Sequence, residues 1–474
     1  MRVLCILLSI LLSPLAWAGS LVIRGVTVID ATGKPPQADM TVVVERDRIT
    51  AIGPSNKLKI PAGSQVLDGK GKFLIPGLWD MHVHGYASET WSYPLYLANG
   101  VVGVREMWGP EDANAWRAAH AKYGKPSPSA YVGSPIIDGP KSALPWGPVR
   151  VANAAQARAA VDHYQANGAD FIKIYTLLSR DAYFAIADEA RKLGIPFLGH
   201  VPDEITVEEA SDAGQKSMEH LIGVPLGASF EEEALFREKP VSGTFGDFNN
   251  TGNDYRRYLR AYATYDESKA AALFARFTKN GTWQCPTLTV ERSYAHLDDD
   301  KFKHEEWLKY VPQQLLLSWK GVCKGMTPAD WADAHRLLPE ELKFVGHMYR
   351  AGVGILAGTD AMNPYVLPGF SLHDELALLV EAGLPPMAAL QAATINAARF
   401  MGQADRRGTI EVGKVADLVL LDRDPLADIH NSVSIRAVIL GGKFMSRASL
   451  DAMLAEVEAL AATPAPNGPP PATK

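Results

Sequence analysis

Between residues 73 and 360 the chain repeats one pattern, a short apolar run followed by a helix-like stretch. Eight runs carry it: 73–84, 100–107, 130–137, 171–175, 196–201, 216–221, 282–290 and 354–360. Short runs that are apolar on both faces and alternate with helices suit parallel strands covered by helices. Eight such units predict an α/β fold, a (β/α)8 TIM barrel with insertions, over residues 73–400.

Several runs end in side chains that ligate metals. The first closes on His82-Val83-His84. Side chains alternate across a strand, so the two histidines share a face with Cα atoms about 6.6 Å apart, a spacing that lets both imidazoles reach one divalent ion. His200 follows Pro196-Phe197-Leu198-Gly199, His220 follows Lys216-Ser217-Met218-Glu219, and Asp360 follows Gly358-Thr359. Taken singly, each has a plainer explanation: a core or surface histidine, or an aspartate capping a turn. Their common position decides for a metal site, because the C-terminal strand ends of a parallel barrel open on one face.

Lys173 lies inside Phe171-Ile172-Lys173-Ile174-Tyr175, where the strand offers no solvated exit. An ammonium about 4 Å from a divalent ion would be repelled by about 8 kcal/mol at an effective dielectric of 20. Lys173 is therefore either away from the metals or not an ammonium. Reaction with carbon dioxide would make it a carbamate, whose two oxygens can bridge two cations. Tyr175 shares Lys173's face and is a candidate donor to a substrate oxygen; packing explains it equally well. Arg105 and Glu106, ending the second run, either receive a substrate carboxylate or pair with each other. His373, in Ser371-Leu372-His373-Asp374-Glu375, reads as structural, near a helix start with Ser371 as N-cap. The long connections 222–281 and 291–353 are rich in Trp, Tyr and Phe and are expected to wall a substrate pocket.

Residues 21–29 and 41–52 alternate at period two and read as antiparallel strands, and similar composition returns at 408–410, 416–422 and 437–440. Residues 19–72 and 401–447 are thus expected to form one small β-sandwich domain around the inserted barrel. A terminal helix over 448–462 and a disordered Pro/Ala tail complete residues 448–474. At the other end, Arg2, an apolar stretch over 3–15 and Ala16-Trp17-Ala18 read as a signal peptide, residues 1–18, too short to serve as a membrane span. The mature protein is then periplasmic or secreted, with no membrane attachment. Cys5 leaves with the signal, and Cys285 and Cys323 either pair or stay as thiols. A net charge of −6 argues against a nucleic-acid surface, and a small molecule is the expected partner. Self-association is left open.

The motifs FLIPGLWDMHVHG, GADFIKIY, LGHV, MEHL, AGTDA and SLHDELALLVEAGLPPMAALQAAT together resemble the amidohydrolase superfamily. The likeness is to its dinuclear, carboxylated-lysine members of imidazolonepropionase-like and prolidase-like type, and it spans nearly the whole mature chain. RRGTIEVGKVADLVLLDRDPL looks like that family's return into the small β domain. The resemblance implies that His82, His84 and Asp360 hold one metal and His200 and His220 the second, with carbamylated Lys173 bridging them. The implied metals are divalent, with zinc the default for imidazole and carboxylate ligands.

Two cations about 3.5–4 Å apart lower the pKa of a shared water, making a bridging hydroxide. Asp360 would then carry its proton to the leaving nitrogen. The expected activity is hydrolysis of a C–N bond in an amide, N-acyl amino acid or dipeptide. A lactonase, esterase or phosphotriesterase would use the same ligands, whereas a one-metal deaminase has no need of Lys173. A non-catalytic binding protein has no need of the complete set. Elemental analysis of purified protein should find two metal ions per chain, falling to one or none in Lys173→Ala.

Overall fold

A computed structural model describes residues 19–122, 124–142, 144, 147–238, 251–303 and 306–463. The predicted signal peptide and the tail from residue 464 lie outside them. No helix among the described residues is long and apolar enough to cross a membrane.

The first apolar run divides where its chemistry changes. Phe73–Pro76 pairs antiparallel with Leu418–Leu421, whereas Leu78–Val83 pairs in parallel with Val101–Glu106. The expectation of one strand over 73–84 is corrected here. Pro76 has no N–H to continue a ladder. Gly77 turns the chain, its N–H bonding Asp417 O at 2.8 Å, while Leu78 N–H bonds Gly100 O at 3.1 Å. A side chain at Gly77 would collide with Val102.

Phe73–Pro76 belongs to a sheet made from both parts of the chain. Its path runs Lys443–Ser446, Ile435–Leu440, Leu418–Leu421, Phe73–Pro76, Leu21–Val28, Gln37–Glu45, Arg48–Pro54, and Gln65–Asp68 adds to Leu21–Val28. The expected strand over 41–52 is instead a hairpin, broken at Arg46, which takes a left-handed φ of 54°. Residues 408–410 form no strand; Ile410 N–H bonds Asp30 O instead. The helix at the end runs Arg447–Ala462.

The rest is an α/β arrangement with parallel strands. Leu78–Val83, Val101–Glu106 and Ser129–Val132 pair in that order. A parallel bridge from Gly133 to Phe171 leads on to Ile172–Ile174, Phe197–Gly199, Ser217–Glu219 and Trp283–Cys285. Parallel bridges Gln284–Ile355 and Val83–Ala361 return the pairing to the strand where it began. The run over 282–290 is only a three-residue strand, because Thr287 takes a left-handed φ of 50° and the helix Leu288–Ala295 starts at once.

The connecting helices start where side chains satisfy orphan amides. Asp112, Asn153, Ser179 and Asp266 each accept a backbone N–H, and Thr206 with Glu209 and Thr327 with Asp330 form capping boxes. Ser371 does not cap. The helix begins at Phe370 behind Gly369, and Ser371 Oγ instead accepts Leu367 N–H. His373 bonds Ser432 and Asn99 O, a structural role. Cys285 and Cys323 are both buried free thiols.

Gly103 packs against the Trp79 indole, and any Cβ there would overlap it. We expect Gly103→Ala to lose about 1–3 kcal/mol of stability, read by denaturant unfolding.

Candidate metal centre

The strand ends set the site before any side chain acts. His82 lies within Leu78–Val83, and His84 directly follows it. His200 leaves Phe197–Gly199 after Gly199, whose φ of 138° suits glycine and whose Cβ, if present, would run into Ile174 O. His220 and Asp360 adopt left-handed φ values of 59° and 61°. Such a conformation costs a non-glycine residue about 1–3 kcal/mol. Neighbouring strands hold both: His220 N–H bonds Cys285 O at 3.1 Å, and Asp360 N–H bonds His82 O at 2.8 Å.

The side chains converge. His84 Nε2 lies 2.9 Å from Asp360 Oδ1, His82 Nε2 lies 3.5 Å from the same oxygen, and His220 Nε2 lies 3.8 Å from Oδ2. The His82 and His220 rings are 4.5 Å apart, and those of His200 and His220 are 5.0 Å apart. The Tyr175 ring lies 4.0 Å from His200, and Lys173 Nζ lies 6.0 Å from Tyr175. Residues from five separated runs thus meet in one buried cluster.

Each of three histidines is aimed from its far nitrogen. Nδ1 of His82 meets Glu219 Oε2 at 2.8 Å, that of His200 meets Thr176 Oγ1 at 2.9 Å, and that of His220 meets Thr287 Oγ1 at 2.7 Å. A carboxylate only accepts, so Glu219 makes His82 the Nδ1–H tautomer and leaves Nε2 as a lone-pair donor. Glu219 is wholly buried and also receives the Arg105 guanidinium at 2.7 Å. Asp80 does similar work for the other ligand: it accepts Thr359 N–H at 3.0 Å and the Thr359 hydroxyl at 2.7 Å, fixing the residue before Asp360.

The donor set fits a divalent cation. His82 Nε2 and Lys173 Nζ are buried with no hydrogen-bond partner. Ligand atoms of His82, His220 and Asp360 lie within 4.8 Å of one another. Burial pushes the His82 and His200 pKa values well below normal and that of His220 to about 4, so all three are neutral ligands at pH 7. Burial alone would raise Asp360, but His220, His84 and Lys173 outweigh it and hold the carboxyl below its ordinary value. Burial brings Lys173 down to about 8 against the opposing pull of Glu219 and Asp360.

Two residues read as substrate contacts are placed differently. Arg105 is wholly buried, donating to Met81 O, Ser217 and Glu219, so it acts as a positioning residue and faces no substrate. Arg105 and Glu106 do not pair, because alternation sends them to opposite faces. Glu106 accepts Gly85 N–H at 2.7 Å, and burial raises its pKa to about 8. Tyr175 stays beside His200, and burial raises its phenol pKa, so it remains protonated. Sequence reading missed Glu219, Asp80, Thr176 and Thr287. Asp80 and Glu219 carried a signal, since each lies at strand spacing from His82 or Ser217 on the inward face; the threonines carried none.

A family model described as the amidohydrolase family matches residues 175–445. The chain belongs to the amidohydrolase family. Among solved structures, this amidohydrolase is similar to a Xaa-Pro dipeptidase with bound methionine, at 20 % identity and TM-score 0.66, covering 90 % of this chain and 100 % of that one. It is also similar to bottromycin amidohydrolase, at 24 % identity and TM-score 0.73, covering 94 % and 91 %. Among curated relatives, imidazolonepropionase of Geobacillus kaustophilus is 36 % identical over 116 residues, 24 % of each chain. Adenine deaminase 2 of Agrobacterium fabrum is 37 % identical over 113 residues, 23 % of this chain and 18 % of its own. The amidohydrolase thus spans about a fifth of the length of these two curated relatives.

Thr287→Val removes the hydroxyl that aims His220 at nearly constant volume. Chelator competition should show metal affinity lowered about 10–100-fold, with circular dichroism unchanged.

Proposed function

We propose that this amidohydrolase is an exported, metal-dependent hydrolase that cleaves a C–N bond in a small amide, an N-acyl amino acid or a dipeptide. The observation that carries the reading is Lys173, buried with an unpartnered Nζ beside His82, His200, His220 and Asp360. We read the returning circuit of parallel pairing as a (β/α)8 barrel, and the sheet made from both chain parts as its small companion domain. The names of the dipeptidase and of bottromycin amidohydrolase support amide chemistry on this architecture.

An amine with a pKa near 8 is about one-tenth neutral at pH 7, and the neutral form is what attacks carbon dioxide. The new N–C bond and loss of one proton leave a carbamate anion on Lys173. With His82, His84, His200, His220 and Asp360, that anion would hold two divalent ions, zinc by the imidazole and carboxylate preference. Bound metal supplies Lewis acidity and makes water nucleophilic near neutral pH.

The chain's own residues do the rest. Asp360, ionised and reaching His84 and His220, takes the proton from the attacking water and delivers it to the leaving nitrogen, which an amine leaving group requires. Tyr175, protonated and with its ring 4.0 Å from that of His200, donates its phenol hydrogen to the substrate carbonyl oxygen as negative charge develops there.

Asp360→Asn should lower kcat about 10²–10⁴-fold while Lys173-dependent metal binding persists, measured by steady-state kinetics beside elemental analysis. Near-normal turnover would remove Asp360 from proton transfer. A panel of amides, lactones and phosphotriesters, run with and without chelator, tests the substrate class, and turnover of esters alone would overturn the amide reading.

A further inference from the structure

Two carboxyl groups take no part in the chemistry above: Glu291, half-buried near the metal centre, and Glu341, buried behind it. Glu291 and Tyr294, three residues apart, share a face of the helix Leu288–Ala295, and Thr287 directly precedes that helix. Both ends of the helix are anchored at the centre. Thr287 touches His220 at 2.7 Å, and the Tyr294 hydroxyl bonds Asn363 Oδ1 at 2.8 Å, three residues past Asp360. Glu291 sits between these anchors, and Asp360 contributes to raising its pKa to about 8, after burial.

The helix Pro328–Arg350 packs on Leu288–Ala295 and on Thr251–Ala263. It brings Glu341, which is 5 % exposed and whose Oε2 has no partner. Burial and Glu291 push the Glu341 carboxyl well above its ordinary pKa. The helix Thr251–Ala263 brings Tyr262, whose hydroxyl is also buried and unpartnered. That helix is held over the loop after His220 by Tyr258, which accepts Gly223 N–H at 2.9 Å. The nearby cations are spent elsewhere: Arg292 on Asp374 at 2.7 Å, Arg256 on Asp330 at 3.0 Å, and Arg257 Nε on Leu235 O at 2.9 Å. Among the described residues, no lysine or arginine pairs with Glu291 or Glu341.

We propose that Glu291, backed by Glu341 and Tyr262, receives a cationic group of the substrate, a guanidinium or an ammonium. A carboxyl group buried without a counter-ion, as at Glu341, is costly, and its unmet acceptor oxygen adds to the cost. A guanidinium brings a positive charge and five donors in a flat fork, which meets the carboxylates and the phenol oxygen together. Glu291 lies one helical turn beyond Thr287, so the cation would sit a short side chain's length from the scissile bond. The inference rests on the amide-hydrolase reading for the substrate's other half: it narrows that class to N-acyl or peptidyl derivatives of basic amino acids.

The test pairs N-acetyl-L-arginine with N-acetyl-L-citrulline, which differ in charge at nearly equal shape, and adds agmatine as a ligand with no amide to cleave. Holoenzyme should favour the arginine compound by about tenfold or more in kcat/KM. Glu291→Gln should collapse that ratio toward one, and Tyr262→Phe should reduce it with little risk to folding. Agmatine should raise the melting temperature of wild type and not of Glu291→Gln. Equal rates for the two amides, with no agmatine shift, would overturn the cation site and leave the amide-hydrolase reading standing. Agmatine binding that depends on Glu291, with no amide of the panel cleaved, would keep the cation site and overturn that reading.

Discussion

One carboxylate, Glu219, ties the interior of the protein to its chemistry. It lies wholly buried, accepts the Arg105 guanidinium at 2.7 Å and meets His82 Nδ1 at 2.8 Å. A lone charge there would cost several kcal/mol, and the Arg105 partner offsets that penalty. Glu219 Oε2 at Nδ1 sets the tautomer that frees Nε2 of His82. Arg105 in turn bonds Met81 O and Ser217, so three strands share one polar joint. Truncating Arg105 or Glu219 leaves a buried charge behind, and stability and metal geometry would fail together.

The backbone shows the same dependence. His220 and Asp360 turn left-handed at the ends of their segments, and Gly199 takes a glycine-favouring φ just before His200. Each departure lifts a side chain out of the strand direction toward the common centre. The inter-strand bonds from His220 to Cys285 O and from Asp360 to His82 O make the strained conformations tolerable. The cluster is therefore a product of pairing between strands far apart in sequence, and Asp80 extends it by gripping Thr359 on the adjacent segment, 279 residues away along the chain.

Electrostatics sorts the buried groups by use. Histidines held neutral and an aspartate held ionised have partners across the centre, which is what cation ligands need. Glu291 and Glu341 go the other way: burial, Asp360 and Glu375 raise the pKa of Glu291, and burial and Glu291 raise that of Glu341, with no cation paired to either. The contrast separates the candidate metal ligands from the carboxyl pair proposed to meet a cationic substrate group.

Much of the site was legible in the chain. His82, His84, Lys173, His200, His220 and Asp360 announce themselves because strand alternation and a shared place at run ends are local properties, written in residue order. Run boundaries were less legible. The split at Gly77, the hairpin at Arg46 and the helix starting right after Thr287 each depend on which neighbour supplies the hydrogen bonds. Arg105 shows the limit most plainly: a charged residue at a strand end reads as a ligand contact until the strand's rotation in the ring turns it inward to Glu219. Periodicity thus determined which residues could face a common centre. Only the tertiary pairing of distant strands decided which of them meet, which charges neutralise one another and which are left open to a ligand, because those outcomes depend on distances across the ring that no local stretch of sequence encodes.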